Sequence, residues 1–154
     1  MKTLVLGLGN PILRDDGVGL CVVREVGARI DRPDVTVSET GLSGLRLLDI
    51  LTGYKRAIIV DAIETQDFVP GEILRLTPEA LDGAKHLSSV HDVNFATALD
   101  LGRKLGLPLP AEIVLYAVVV SDTSTFDENC TEEVQRAIPV CAEMVLNELG
   151  VRTD

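Results

Sequence analysis

The sequence predicts a three-layer α/β fold, a mainly parallel twisted sheet of about five strands with helices on both faces. Three observations carry that prediction. Short apolar runs alternate with helical stripes from end to end of the chain. Hydrophobic residues make up 46% of the composition and aromatics only 3%, so the core is Val, Ile, Leu and Ala, as suits strands covered on both faces. No repeat, low-complexity stretch or linker divides the 154 residues, which read as one domain spanning 1–154.

The elements follow in order. Residues 4–8 form a buried strand that runs into the glycine turn Gly7-Leu8-Gly9-Asn10-Pro11. Gly19, Val22, Val23, Val26 and Ile30 recur at helical spacing, which places Asp15 and Asp16 on the first turn of a helix. Residues 35–37 alternate as an edge strand does, and 45–51 form a short apolar helix opened by Gly44 and closed by Gly53. The run 57–60 is a buried strand ending in Asp61, and 72–76 alternate behind the turn Pro70-Gly71. Residues 92–105 are helical, with a cap near 88–92, and the Val-rich stretch 113–120 is a further buried strand. A last helix carries Val134, Ile138, Cys141, Val145 and Leu149 on one stripe and stops at Gly150. Pro139 lies within that stripe and predicts either a kink or the true start of the helix.

Charge and composition exclude several function classes. A net charge of −10, with 14 scattered basic residues, is unsuited to a nucleic-acid partner, whose phosphates are neutralised by Lys and Arg. No apolar run approaches the roughly 20 residues of a membrane span, so no membrane partner is expected. Cys21, Cys130 and Cys141 lack a C-x-x-C pattern and follow no signal peptide, so they read as reduced, buried thiols of a cytoplasmic protein. The acidic surface shows no obvious apolar patch, and a monomer is expected.

Gly7-x-Gly9 after a first strand invites a dinucleotide-binding reading. That fingerprint needs a third glycine where this chain has Ile12, and the carboxylates of Asp15 and Asp16 would repel a pyrophosphate. One aspartate is enough to favour the helix dipole, which leaves the second available for chemistry. Asp61 falls at the carboxyl edge of a central strand, where parallel sheets hold their ligands, although a solvated loop residue or a cap would read the same way. His91 directly precedes the helix at 92 and projects from the same edge if the connection is short. Asp16, Asp61 and His91 thus come from three separate βα junctions. Two carboxylates and an imidazole suit a borderline divalent ion such as nickel or zinc, with positions left for water or a substrate atom. No G-x-S-x-G sequence and no Cys–His pairing offers a rival nucleophile.

Gly7-Leu8-Gly9-Asn10, Asp15-Asp16-Gly17-Val18-Gly19, Val60-Asp61-Ala62 and His91 together resemble the [NiFe]-hydrogenase maturation proteases, over nearly the whole chain. The resemblance implies an α/β endopeptidase that removes the C-terminal extension of a [NiFe]-hydrogenase large-subunit precursor once nickel has been inserted. It implies that Asp16, Asp61 and His91 contact a nickel ion supplied by the substrate, with zinc or another divalent ion able to occupy the site in isolation. The metal would polarise the scissile carbonyl or activate a water, and no general base is identified beyond the ligands. Asp15 is the nearest spare carboxylate.

Glu39-Thr40-Gly41-Leu42-Ser43-Gly44 stands where the family often has Asp-Gly-Gly-Thr/Ser-x-Gly, which implies that Glu39 and Gly41 take part in recognising the hydrogenase partner. Read by itself, the segment is a strand-to-helix turn whose glycines supply positive φ. Residues 121–126 lack the proline found in several members. A non-proteolytic, metal-dependent chaperone for the nickel-loaded subunit is the alternative. Peptidyl-tRNA hydrolase shares Gly-Leu-Gly-Asn-Pro, but the likeness stops at Pro11, because Arg14-Asp15-Asp16-Gly17 replaces its Thr-Arg-His-Asn stretch.

Overall fold

The computed structural model describes residues 2–41, 45–83, 88–89 and 95–151. Six strands form one sheet: β1 (Thr3–Leu8), β2 (Val35–Thr40), β3 (Arg56–Glu64), β4 (Ile73–Leu76), β5 (Ser88–Ser89) and β6 (Glu112–Val119). The order is β2-β1-β3-β6-β4, with parallel pairing from β2 through β6 and an antiparallel β4 on the edge. The two-residue β5 pairs antiparallel with the end of β3. The mainly parallel sheet expected from the sequence is the sheet observed.

The strand pleat sorts the side chains between two cores. Leu4, Leu6, Leu8, Ala57, Ile59, Ile113 and Leu115 face one way. They are covered by α2 (Arg46–Leu51), α3 (Pro78–Gly83) and α4 (Phe95–Lys104). Val5, Ile58, Val60, Val114, Tyr116 and Val118 face the other way, under α1 (Val18–Arg29) and α5 (Glu132–Glu148). From β1 the chain passes through α1 to β2 on one side, then through α2 on the opposite face to β3 on the other side. That reversal makes the crevice beyond the carboxyl ends of β1 and β3 the topological switch point of the sheet.

Several local expectations change. Asp15 and Asp16 lie in a separate 3-10 turn, Arg14–Gly17, and α1 begins only at Val18. β3 continues past Asp61 to Glu64, because β6 extends beside it to Val119 and β5 pairs with Ile63 and Glu64. Pro139 does not start the last helix. α5 opens at Glu132 and runs through the proline, held on both sides of it by buried Val134, Ala137, Cys141 and Val145. The expected start of the helix at 92 lies outside the described residues, and α4 is seen from Phe95. Among the described residues no helix is long and apolar enough to cross a membrane.

Candidate functional site

The glycines of the opening motif supply space rather than unusual φ. A Cβ on Gly7 would stand 2.5 Å from the carbonyl oxygen of Gly19 and 2.7 Å from Val23 Cγ2. One on Gly19 would stand 2.5 Å from the carbonyl oxygen of Val60 and 2.6 Å from that of Leu8. A Cβ on Gly9 would run into the carbonyl oxygen of Asp16. None of the three has a positive φ. Their bare backbones let the start of α1 rest directly on the ends of β1 and β3, and the turn before it packs against β3.

That contact brings two of the expected site residues to the switch point. Asp16, only 3% exposed, accepts the Asn10 backbone N–H through Oδ2 at 3.0 Å. Asp61, 2% exposed, accepts the Ala62 N–H through Oδ1 at 2.8 Å and lies in register with Ala117 of β6. Burying a carboxylate is costly unless hydrogen bonds, a countercharge or a metal ion offset the loss of water. Two such groups at adjacent junctions of the switch point are a donor set suited to a divalent cation. His91, the third expected ligand, lies outside the described residues.

Asp15 has a role that sequence reasoning missed. It caps neither its own turn nor α1. Its fully buried carboxylate instead gathers a loop more than a hundred residues away. Oδ2 accepts the N–H groups of Ser121 and Asp122, both at 2.9 Å, and Oδ1 accepts that of Thr131 at 2.7 Å. The Thr131 hydroxyl donates to the same carboxylate, although this residue sits at the N-cap of α5. Backbone bonds from Asp15 N to Asp122 O (2.8 Å), from Arg14 N to Asp127 O (2.9 Å) and from Asp127 N to Ile12 O (3.0 Å) complete the clamp. Arg14 takes φ of 26°, the one described non-glycine residue with positive φ, and this strained conformation is fixed by those bonds. With every oxygen so occupied, Asp15 is a structural anchor rather than a spare base.

The segment expected to recognise a partner begins beside the same turn. Gly9 N–H donates to Thr40 O at 3.1 Å. Glu39 is gripped by the Arg24 fork, with Nε at 2.9 Å and a terminal nitrogen at 2.7 Å, which holds its carboxyl below the usual carboxylate range. Gly41 has no positive φ, so the turn reading fails at that position, while Leu42, Ser43 and Gly44 lie outside the described residues. The cysteines divide. Cys141 is a buried thiol pushed up to about 12 by desolvation. Cys21 is only half-buried, and its neighbour Cys130, helped by the Arg24 charge, pulls it down to about 6.

Comparison with known proteins finds relatives over most of the chain. A family model described as hydrogenase maturation protease matches residues 20–148. The chain is 31% identical over 121 residues to the hydrogenase 2 maturation protease of Escherichia coli, covering 77% of this chain and 73% of that one. It is 33% identical to a putative hydrogenase maturation protease of Methanocaldococcus jannaschii, with 95% of each chain covered. Among solved structures, the hydrogenase maturating endopeptidase HybD of Escherichia coli superposes with a TM-score of 0.81 at 28% identity, covering 97% of this chain and 92% of that one. The [NiFe] hydrogenase maturation protease HybD of Thermococcus kodakarensis superposes with a TM-score of 0.73 at 25% identity, covering 96% and 99%.

Proposed function

The chain belongs to the hydrogenase maturation protease family, and from that premise we propose that it removes the C-terminal extension of a [NiFe]-hydrogenase large-subunit precursor after nickel insertion. The substrate's own nickel is the recognition element. Asp16, Asp61 and His91 complete its coordination, so that only a loaded subunit is held in register for cleavage. The observation that carries this reading is the pair of nearly fully buried carboxylates flanking the β1/β3 switch point.

The carboxylates have a clear division of labour in this scheme. The N–H groups of Asn10 and Ala62 each fix one oxygen, which orients Asp16 and Asp61 before the subunit arrives. Bound nickel supplies Lewis acidity, polarising the scissile carbonyl or lowering the pKa of a water beside it. Glu39 and Gly41, at the rim of the same junction, contribute to the choice of partner. Because the Glu39 carboxylate is engaged by Arg24, the two present a joined, nearly neutral surface there.

The test is incubation with nickel-loaded and nickel-free precursors, followed by intact-mass measurement of the large subunit. Truncation of the loaded form alone is expected, and it should be lost on Asp16→Asn, Asp61→Asn or His91→Ala. Stable complex formation with an unchanged C-terminus would overturn the proteolytic reading in favour of a chaperone. Exchanging Glu39-Thr40-Gly41 for the matching segment of a relative should change which precursors are processed, and an unaltered preference would remove that segment from recognition.

A further inference from the structure

The loops at the carboxyl edge of the sheet carry large apolar side chains that no core contact explains. Phe126 is 80% exposed and Ile12 49%, and the consecutive Phe68 and Val69 are exposed beyond the end of β3. The chain has three phenylalanines, and only Phe95 is in the core. The other two stand on this edge.

These side chains are displayed on fixed backbone. Ile12 and Phe126 ride on the two segments bridged through Leu13, and the Asp127 N–H bond to Ile12 O holds them side by side. The Asp15 carboxylate anchors both ends of the 121–131 loop. The Thr123 hydroxyl ties that loop to Glu64 at the end of β3 (2.9 Å). The Val69 turn is pinned by Gly71 N to Val119 O (2.8 Å) and by Val69 N to Glu72 Oε2 (2.8 Å). Exposed apolar groups gathered on one edge and rimmed by polar residues mark an interaction site, whereas single ones elsewhere do not.

The charge around them has one sign. From Ser121 to Glu133 the chain carries Asp122, Asp127, Glu128, Glu132 and Glu133 without a single Lys or Arg. From Glu64 to Glu72 it carries Glu64, Asp67 and Glu72, again without a basic residue. The nearby Arg14 is itself paired with Asp122 at 3.7 Å.

We propose that Phe126, Ile12 and the Phe68–Val69 turn form a docking rim for the protein substrate, which takes a large apolar side chain flanked by Lys or Arg. This deepens the maturation-protease reading and rests on it, since the rim is continuous with the loop that delivers Asp16. The apolar groups supply contact area and the surrounding carboxylates select the sign of the flanking charge. Asp16 and Asp61 act on the metal, and the rim sets which polypeptide is laid across them.

The experiment uses the full chain and short fluorescein-labelled peptides, so that it does not depend on cleavage. One peptide has Phe-Leu between lysines, a second has Phe-Leu between glutamates, and a third has Ser-Ser between lysines. Anisotropy should show the first bound at least about tenfold more tightly than either of the others. The gap between the lysine and glutamate peptides should narrow as salt rises. Phe126→Ser and Ile12→Ser, at exposed positions that leave the circular dichroism unchanged, should abolish the preference, and Phe126→Tyr should keep it. Equal binding of the three peptides, or a preference that survives both serine variants, would overturn the rim. Processing of a nickel-loaded precursor is scored separately, so loss of cleavage with retained peptide preference would count against the protease reading alone.

Discussion

Replacing Asp15 by alanine is the most informative perturbation of this chain, because its neighbour Asp16 is equally buried and has a different task. The Asp15 carboxylate receives three backbone N–H groups and the Thr131 hydroxyl, all of them hydrogen bonds to a charged acceptor. Alanine leaves these four donors facing an apolar methyl group. A buried donor without a partner costs about 1–3 kcal/mol. Water entering the space left by the carboxylate satisfies some of them, which brings the total to about 3–5 kcal/mol. For a domain of this size each kcal/mol moves the melting midpoint by about 2–4 °C, so the variant should melt about 6–20 °C below the parent.

The assay is urea unfolding and thermal melting of the parent, Asp15→Ala, Asp15→Asn and Asp16→Asn. Asp15→Asn keeps one oxygen but loses the charge and turns an amide toward donors, so an intermediate loss of about 2 kcal/mol is expected. Asp16→Asn retains the size and an oxygen for the Asn10 N–H, and should stay within about 1 kcal/mol of the parent while failing to process a precursor. An Asp15→Ala variant within about 1 kcal/mol of the parent would refute the anchor argument. So would an Asp16→Asn variant as unstable as Asp15→Ala, since the two aspartates would then share one structural role.

Two further predictions concern the helix between the motifs. Gly19→Ala would drive a methyl group into the carbonyls of Val60 and Leu8 and should cost at least about 1–3 kcal/mol. Gly27→Ala in the exposed part of the same helix meets only ordinary contacts with Val37 and should stabilise by about 0.5–1 kcal/mol; equal effects of the two in denaturant titrations would refute the space argument. With Cys130 and Arg24 pulling it down to about 6, Cys21 should be mostly thiolate at neutral pH. Its alkylation by iodoacetamide, mapped by mass spectrometry, should rise through about pH 6 and level off, whereas an ordinary thiol climbs to about pH 8.5. Continued rise at Cys21 above neutrality would refute the shift, and Cys141 should stay unmodified in the folded protein.

What the sequence disclosed follows from the range of the interactions involved. Strands and helices are local patterns, so residues 4–8, 57–60 and 113–120 announce a buried parallel sheet, and Asp61 announces itself by following such a run. Strand order is not local. The switch point between β1 and β3 becomes visible only when β2 and β3 are placed on opposite sides of β1. β5, two residues long, is too short to carry a period. The constraint on Gly19 comes in part from the carbonyl of Val60, some forty positions downstream, which no local pattern discloses.

Asp15 is the sharpest case. From the sequence, two adjacent aspartates before a helix are interchangeable, and the choice of Asp16 as ligand rests on resemblance. In the fold they diverge because a tight 3-10 turn, held by the strained Arg14, sends successive side chains in different directions. Asp16 turns to the Asn10 N–H just past the end of β1, while Asp15 goes to the 121–131 loop and the start of α5. One turn therefore sets both the candidate ligand Asp16 and the wall that displays Phe126. This arrangement makes the consequences separable. On the proposed function, loss of Asp16 removes a metal contact and leaves the wall standing, whereas loss of Asp15 loosens the wall and, through the shared turn, Asp16 with it. The proposed activity gains from that coupling, because Asp16 and the wall cannot drift apart independently.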